Sequence, residues 1–519
     1  MAQEVEIKLA GDPRVLAELR KKTRLAGHAL SRPIARTINT TYFDSDDLSL
    51  ARHKIAFRIR NHGRVFEQTA KIDSGEGVAA ARRSEISAVL GKPEPDASRV
   101  ADAGVRKRVE KLLDRGALKA RCKTFVKRTT RQLKTKSGDR IELAFDTGTL
   151  VALDRGRSRQ TPIAELELEL KSGDPKNLSL LARKMAEEFP IRLSLRSKAE
   201  RGFDLLRGNA AKPRKAGPVL LAHNASVAGG IPAVLQHCLV HLVANEDAVV
   251  HARDPEGVHQ MRVALRRLRS ALSAFGKTVT TKEMAHLRNE AKWAAEILGR
   301  ARDLDVFMEG ALNPVLSAEP KDPRLDQVKH FAKVERARAW SEVLGALSSA
   351  RYRLFVIDLA RAIENRLWRN VKSMRRNKIT LASKLKPLAV RALEKRFERV
   401  AHYGGHLSGL GDTERHHLRI ELKKLRYAAE FFTGLFPRKA VRAYIKRIAG
   451  LQEIFGALND ATVARGVAAR ILSAARDSGE NLDWAAGVII GWRDAKRTDA
   501  LISAKSRWKA LAKTRPFWR

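Results

Sequence analysis

Cysteine is almost missing from this chain: Cys122 and Cys238 are the two in 519 residues, far apart and in no ligand-like spacing. That scarcity excludes a disulfide framework and a cysteine-held structural zinc site, and it fits a reducing compartment. Aromatic residues make up 6%, which argues against the aromatic-studded basic strands that stack single-stranded bases. No apolar run approaches the roughly 18 residues that a membrane helix needs, so no span and no membrane partner are expected. Met1-Ala2-Gln3-Glu4-Val5-Glu6 lacks a basic segment leading into an apolar one, so no signal peptide is expected either. The location these absences suggest is cytoplasmic.

Acidic residues are the other shortage. Against 101 Lys and Arg stand 58 Asp and Glu, a formal net charge of +43. The excess is shared, +19 before residue 220 and +24 after it, so it is not one basic tail on a neutral body. A field of that sign concentrates polyanions, whether nucleic acid, anionic membrane or polyphosphate, and charge alone does not choose among them. The 44% of hydrophobic residues supplies real cores, and the length suits two or three domains.

What is abundant is alternation. Glu4-Val-Glu-Ile-Lys-Leu9 and Glu165-Leu-Glu-Leu-Glu-Leu170 place charge at every second position, and Ile55-Ala-Phe-Arg-Ile-Arg60 does so at 58 and 60, the period of a strand with two different faces. Turn residues such as Ser137-Gly138-Asp139 separate these runs. The first part is therefore expected to be α+β, dominated by an antiparallel sheet, over residues 1–207. A Pro-, Gly- and Lys-rich bridge follows, placed at 208–222, and from 223 to 519 the period becomes 3.6, that of an all-α region. Within it, His259-Gln-Met-Arg262-Val-Ala-Leu-Arg266-Arg267-Leu-Arg269 matches His416-His-Leu-Arg419-Ile-Glu-Leu-Lys423-Lys424-Leu-Arg426 at an offset of 157 residues. The same offset carries Phe275 onto Phe432 and Gly299 onto Gly456. The repeat, about 259–306 and 416–463, implies two related helical bundles.

The charged faces of the strands pose a chemical question. If the sheet closes, Glu and Arg line its interior, which is costly unless they pair or bind ions. Carboxylates from several strands supply the hard oxygen ligands of Mg²⁺ or Mn²⁺, and interleaved Arg and Lys match phosphate oxygens. For any single run, a half-exposed sheet face remains the commoner meaning.

The ordered set Glu4-x-Glu6-x-Lys8, Phe57-Arg58-Ile-Arg60, Lys71, Arg83-x-Glu85, Arg128-Thr129, Glu142…Asp146-x-Gly148, Glu165-x-Glu167-x-Glu169 and Ser197-Lys198-Ala-Glu-Arg201-Gly202 resembles the CYTH superfamily, the triphosphate tunnel metalloenzymes. The resemblance covers nearly all of residues 1–207. It implies an eight-stranded antiparallel tunnel that binds a linear triphosphate. Lys8, Arg58, Arg60, Lys71, Arg128, Lys198 and Arg201 would bind its phosphates. Glu4, Glu6, Glu85, Asp146, Glu165 and Glu167 would hold two divalent metals, Mg²⁺ or Mn²⁺, the pair used among Glu165, Glu167 and Glu169 being left open. Glu4, Glu6, Lys8 and Lys198 are the residues then expected to be catalytic.

The helical part places His259, Arg262, Arg266 and Arg269 in one stripe and Leu265, Leu268, Leu272 and Phe275 in another; the second copy repeats both. A lone basic stripe is usually a solvated face, but a duplicated one facing a shared groove makes an anion site. Val258-His-Gln-Met-Arg262, Leu298-Gly-Arg-Ala-Arg302-Asp303, Lys423-Lys-Leu-Arg426-Tyr427 and Leu458-Asn-Asp460 resemble the CHAD domain. That resemblance implies polyphosphate binding through His259, Arg262, Arg266, Arg269, His416, Arg419, Lys423 and Arg426.

The leading expectation is an inorganic triphosphatase, giving pyrophosphate and phosphate, with a polyphosphate-binding helical domain. The alternatives are a non-catalytic polyphosphate binder and another tunnel activity, on thiamine triphosphate or as an adenylyl cyclase. Nucleic acid binding is ranked as an incidental consequence of charge.

Overall fold

The computed structural model describes residues 4–62, 65–73, 80–113, 117–154, 157–208, 211–319, 322–407, 409–494 and 497–519. It divides into two compact units, Met1–Lys212 with Ser348–Asn365, and Pro213–Leu347 with Arg366–Arg519.

In the first unit the alternating runs become strands β1 (Glu4–Gly11), β2 (Ile34–Asp44), β3 (Ile55–His62), β4 (Val65–Asp73), β5 (Ala80–Leu90), β6 (Lys119–Lys134), β7 (Arg140–Asp154), β8 (Arg157–Ser172) and β9 (Ile191–Leu193). Their order is β8-β7-β6-β2-β3-β4-β5-β1-β9, and β8 also pairs with β1. The sheet therefore has nine strands among the described residues, against the eight expected. Eight of them close into a ring, and the short β9 adds to β1 at Leu9, Ala10 and Gly11. Closure turns one face inward and removes the open sheet edges.

Period 2 decides the sides. Ile7, Leu9, Phe57, Ile59, Leu143, Phe145, Leu166 and Leu168 are buried, all on the face opposite the charges. Over Phe57 and Ile59 lies helix α1 (Ala103–Leu113), with Val109 completely buried in that cluster. Helix α2 (Pro175–Glu188) covers β1 and β8 with Leu178, Leu181 and Met185. The helix Ala350–Glu364, from far along the chain, packs on α2 within this unit, where Arg183 pairs with Asp358 at 2.9 Å.

Helix α3 (Lys198–Leu206) lies on the inward face of β6 and β7, where Ala199 and Phe203 pack with Tyr42, Cys122 and Ala152. Gly202 makes that seat possible, because a Cβ there would stand 2.4 Å from Cys122 Sγ. The start of α3 is fixed by a capping box in which Ser197 accepts from Glu200 N–H and the Glu200 carboxylate accepts from Ser197 N–H. Burial pushes the Cys122 thiol up to about 12, which leaves it an inert packing group.

The second unit is helical. Its chief elements are α4 (Val227–Val243), α5 (Pro255–Phe275), α6 (Lys282–Phe307), α7 (Lys386–Gly404), α8 (Asp412–Phe431) and α9 (Arg438–Asp477). The two copies of the repeat meet: α5 packs on α8, and the equivalent residues Phe275 and Phe432 stack edge-to-face at 5.9 Å. Val227–Val250, with mean hydropathy 1.6, is long and apolar enough to cross a membrane by length and composition. This corrects the expectation that no apolar run approaches that length; Gln236, His237 and His241 interrupt the stretch while its average stays apolar. Half of it is buried, and α4 packs against α5.

Candidate active site

Register brings the interior charges together. Across the β8–β7 ladder Glu165 faces Asp146, and across β8–β1 Lys8 faces Glu167. Asp146 in turn faces Arg128 on β6. On the other wall Arg58 faces Tyr42, and Lys71 faces Glu85. Acid and base thus interleave around a cavity of about 410 Å³, lined among others by Glu6, Lys8, Arg58, Arg60, Lys71, Glu85, Arg128, Asp146, Glu167 and Lys198.

The acidic end is dense. Asp146, Glu165 and Glu167 are buried, and each brings a carboxylate oxygen to within 4.8 Å of the others. Lys198 Nζ stands 2.8 Å from Asp146, 2.8 Å from Glu165 and 2.9 Å from Glu167. Lys8 Nζ lies 2.9 Å from Glu167 and 3.0 Å from Glu6. Arg128 grips Asp146 with two bonds of 2.7 Å and also reaches Glu167. Arg201 pairs with Glu165 and donates to Pro162 O at 2.8 Å.

Electrostatics follows from this packing. Burial would raise the carboxyl of Glu165, but Lys198, Arg201 and Lys8 outweigh it and hold the group below the usual carboxylate range. Glu167 is held well below that range: burial is again opposed, by Lys198, Lys8 and Arg128. Lys198 is driven well above the ordinary lysine value, since Glu165, Glu167 and Asp146 overcome its desolvation. All three side chains are therefore charged at neutral pH.

Three hard oxygen donors at this spacing suit Mg²⁺ or Mn²⁺. Glu165 Oε2 is buried without an aligned hydrogen-bond donor, although Lys198 is in charge contact with it. The donor set fits a divalent cation. The other expected ligands lie elsewhere on the wall. Glu85 sits with Lys71 and, at 3.6 Å, with Arg58, Glu6 sits with Lys8, and the side chain of Glu4 lies outside the described residues. Arg60 lines the same cavity, and burial followed by repulsion from Arg58 lowers its pKa.

The cavity also takes in Glu169, the third glutamate of the run whose ligand pair was left open, and Tyr42, Lys54 and Lys171, which were not among the expected site residues. Lys171 continues the two-residue step from Glu169, and that signal was there to extend. Lys54 sits in a turn with φ 61°, outside any alternating run, so no pattern marked it.

In the helical unit the two basic rows converge partway along. Arg262 bonds to Asp303 Oδ1 at 3.0 Å and donates to Gly299 O at 3.2 Å. Burial first, then Arg419, Arg266 and Arg262, push the Lys423 ammonium down to about 6. Arg419 is likewise lowered, by burial and then by Arg266 and Arg262 against the pull of Asp460. Mutual repulsion of that kind requires the four cations to share one neighbourhood. His259 is pushed down to about 4 by burial and by Arg302, and so is neutral. His416 Nδ1 lies 2.7 Å from Asn459 Oδ1. The row ends diverge: Arg269 neighbours Arg288, while Arg426 pairs with Glu430 at 3.4 Å.

Residues 2–203 match the model of the CYTH domain, and residues 233–469 that of the CHAD domain. A curated relative, the inorganic triphosphatase of Haemophilus influenzae, is 30% identical over 204 residues, which are 39% of this chain and 55% of that protein. The match thus spans about half the length of the relative. The crystal structure of the CHAD domain from the plant Ricinus communis aligns with TM-score 0.50 and 27% identity, over 58% of this chain and 97% of that one.

Proposed function

We propose, from the premise that this chain is a CYTH domain followed by a CHAD domain, that its tunnel hydrolyses inorganic triphosphate with a divalent cation and that its helical unit holds polyphosphate. The observation carrying the first half is the buried set Asp146, Glu165 and Glu167 beside a cation-lined cavity. The name of the Haemophilus relative supports the choice of substrate.

Asp146, Glu165 and Glu167 would hold the cation, Mg²⁺ or Mn²⁺, while Glu6 and Glu85 line the same cavity beside Lys8 and Lys71. A bound divalent cation supplies charge neutralisation on the phosphates and an activated water. The chain's own work is to bind and orient. Lys8, Arg128 and Lys198 at one end and Arg58, Arg60 and Lys71 along the wall take the phosphate oxygens, Arg in bidentate fashion, while Arg201, expected among them, holds Glu165. Water adds to the terminal phosphorus as the bond to the bridging oxygen breaks, and the same cations stabilise the charge left on pyrophosphate. Positioning and charge stabilisation supply most of the acceleration in such transfers, so no side-chain nucleophile is needed.

The test is phosphate release from triphosphate, ATP and thiamine triphosphate, with and without Mg²⁺, in the wild type and in Glu165→Gln. Metal-dependent turnover of triphosphate above the other two is expected, with a loss of about 10²-fold or more in the variant. Full turnover in Glu165→Gln would sink the tunnel mechanism; preference for ATP or thiamine triphosphate would reassign the substrate. For the second half, the convergence of Arg262, Arg266, Arg419 and Lys423 is the support.

A further inference from the structure

Between Glu364 and Glu394 the sequence has no acidic residue and nine Lys and Arg. Six of these, Arg366, Arg369, Lys372, Arg375, Arg376 and Lys378, lie on and around the helix Val371–Arg376, and all six are exposed. Among the described residues none of the six has an ion-pairing carboxylate. Other exposed cations of the unit do have one: Arg476 pairs with Asp483 and Arg300 with Glu342.

The segment is no loose tail. Trp368 is wholly buried and Met374 nearly so. Asn370 caps the helix by accepting from Ser373 N–H at 3.0 Å, and its amide donates to Thr280 O at 2.6 Å. Its backbone N–H donates to Thr278 O at 3.1 Å, and further on Leu385 N–H donates to Ala225 O at 2.8 Å. Arg366 and Lys378 hold φ of 55° and 51°, a left-handed backbone that costs a residue with a Cβ and persists only where its surroundings enforce it. The charges are thus presented on a fixed scaffold, and an anion meets them without first ordering the chain.

Position adds the second argument. Thr278 and Thr280, to which the segment is tied, lie just past the end of α5. Arg262 and Arg266 lie on the same helix, roughly 14–20 Å before that end at 1.5 Å per residue. A chain of a few phosphates is too short to touch both places, whereas a long one reaches.

We propose that this strip is a second anchor for the phosphate chain, so that the helical unit grips long polyphosphate at two places and short chains at one. The inference rests on the reading that the converging rows bind polyphosphate. Trp368 is the single aromatic residue between Glu364 and Glu394 and is buried, so the strip offers bases no stacking surface. It matches a charged chain without bases. Once the rows hold one part of such a chain, its free length stays close to the strip, and the second contact forms at a high effective concentration.

The full-length protein carrying Arg369→Gln, Lys372→Gln, Arg375→Gln and Arg376→Gln is titrated, without divalent metal, with polyphosphate of hundreds of phosphates, with a chain of a few, and with duplex DNA. Long-chain affinity is expected to fall roughly 10- to 100-fold, with a shallower salt dependence, while short-chain affinity stays within about twofold of the wild type. Unchanged long-chain affinity overturns the inference, as does an equal loss for both lengths or a loss confined to DNA. A second protein, Arg266→Gln with Lys423→Gln, separates the two layers. If it binds long chains like the wild type, the reading of the rows fails; if it loses long-chain affinity while the strip variant keeps it, only the second anchor fails.

Discussion

At Lys198 one ammonium group stands 2.8–2.9 Å from three buried carboxylates. Removing one partner of a buried charge cluster leaves the others uncompensated, which costs about 3–5 kcal/mol. Lys198→Met is therefore expected to lower the melting temperature in the absence of metal. Mn²⁺ should restore more stability to the variant than it adds to the wild type, because a cation then replaces the lost ammonium. Melting curves with and without Mn²⁺ check this, and an equal Mn²⁺ effect in both proteins contradicts it. Lys423 makes a different residue-scale case. Its pKa of about 6 means that it is mostly neutral at pH 7.5. A bound polyanion favours the ammonium form and raises that pKa, so binding takes up a proton, and affinity falls as pH rises from about 6 toward the raised value. Calorimetry at pH 7.5 in buffers of different ionisation heat should show uptake approaching one proton. Lys423→Arg should abolish it. Residue types and alternation announced the carboxylates and cations; the neutral state of Lys423 was not legible, since it arises from burial first and then from three arginines drawn from two distant copies of a repeat.

Among elements, α3 shows how a short helix completes a site. Its Lys198 reaches into the tunnel and its Arg201 holds Glu165, while Ala199 and Phe203 pack on the sheet. Gly202 lets it lie that close: a methyl group would stand 2.4 Å from Cys122 Sγ. Gly202→Ala is expected to destabilise by about 1–3 kcal/mol through overpacking and to reduce turnover by shifting Lys198. Cys122→Ala in the same chain should recover part of both losses, measured by melting temperature and phosphate release. If the double variant is no better than the single one, the contact is not what matters. A glycine inside a helical run reads in sequence only as a weak helix former; its purpose belongs to a neighbour 80 residues earlier. By contrast the β8 run was fully legible, because Glu-Leu-Glu-Leu-Glu-Leu leaves no doubt which face is buried in apolar contacts.

On the scale of the whole molecule the charge of +43 has a consequence of its own. Duplex DNA is expected to bind without sequence preference and to lose about 10³-fold or more in affinity between about 50 and 200 mM salt if six or more phosphates are contacted. Polyphosphate should compete it away. Binding measured across that salt range with two unrelated duplexes checks both statements, and a sequence preference contradicts the incidental reading. Each compact unit supplies its own basic surface, one inside a closed sheet and the other where repeated helices meet.

The sequence by itself determined the two architectures, the 157-residue duplication and the identity of the charged residues, because period 2, period 3.6 and a fixed offset are properties of neighbours along the chain. Only the tertiary structure decided that, of the three glutamates on β8, Glu165 and Glu167 cluster with Asp146, that Glu85 sits with Lys71 and Arg58, and that a ninth strand lies outside the ring. The reason is register: alternation gives the face on which a side chain lies, but ladder pairing and ring closure decide what stands opposite it.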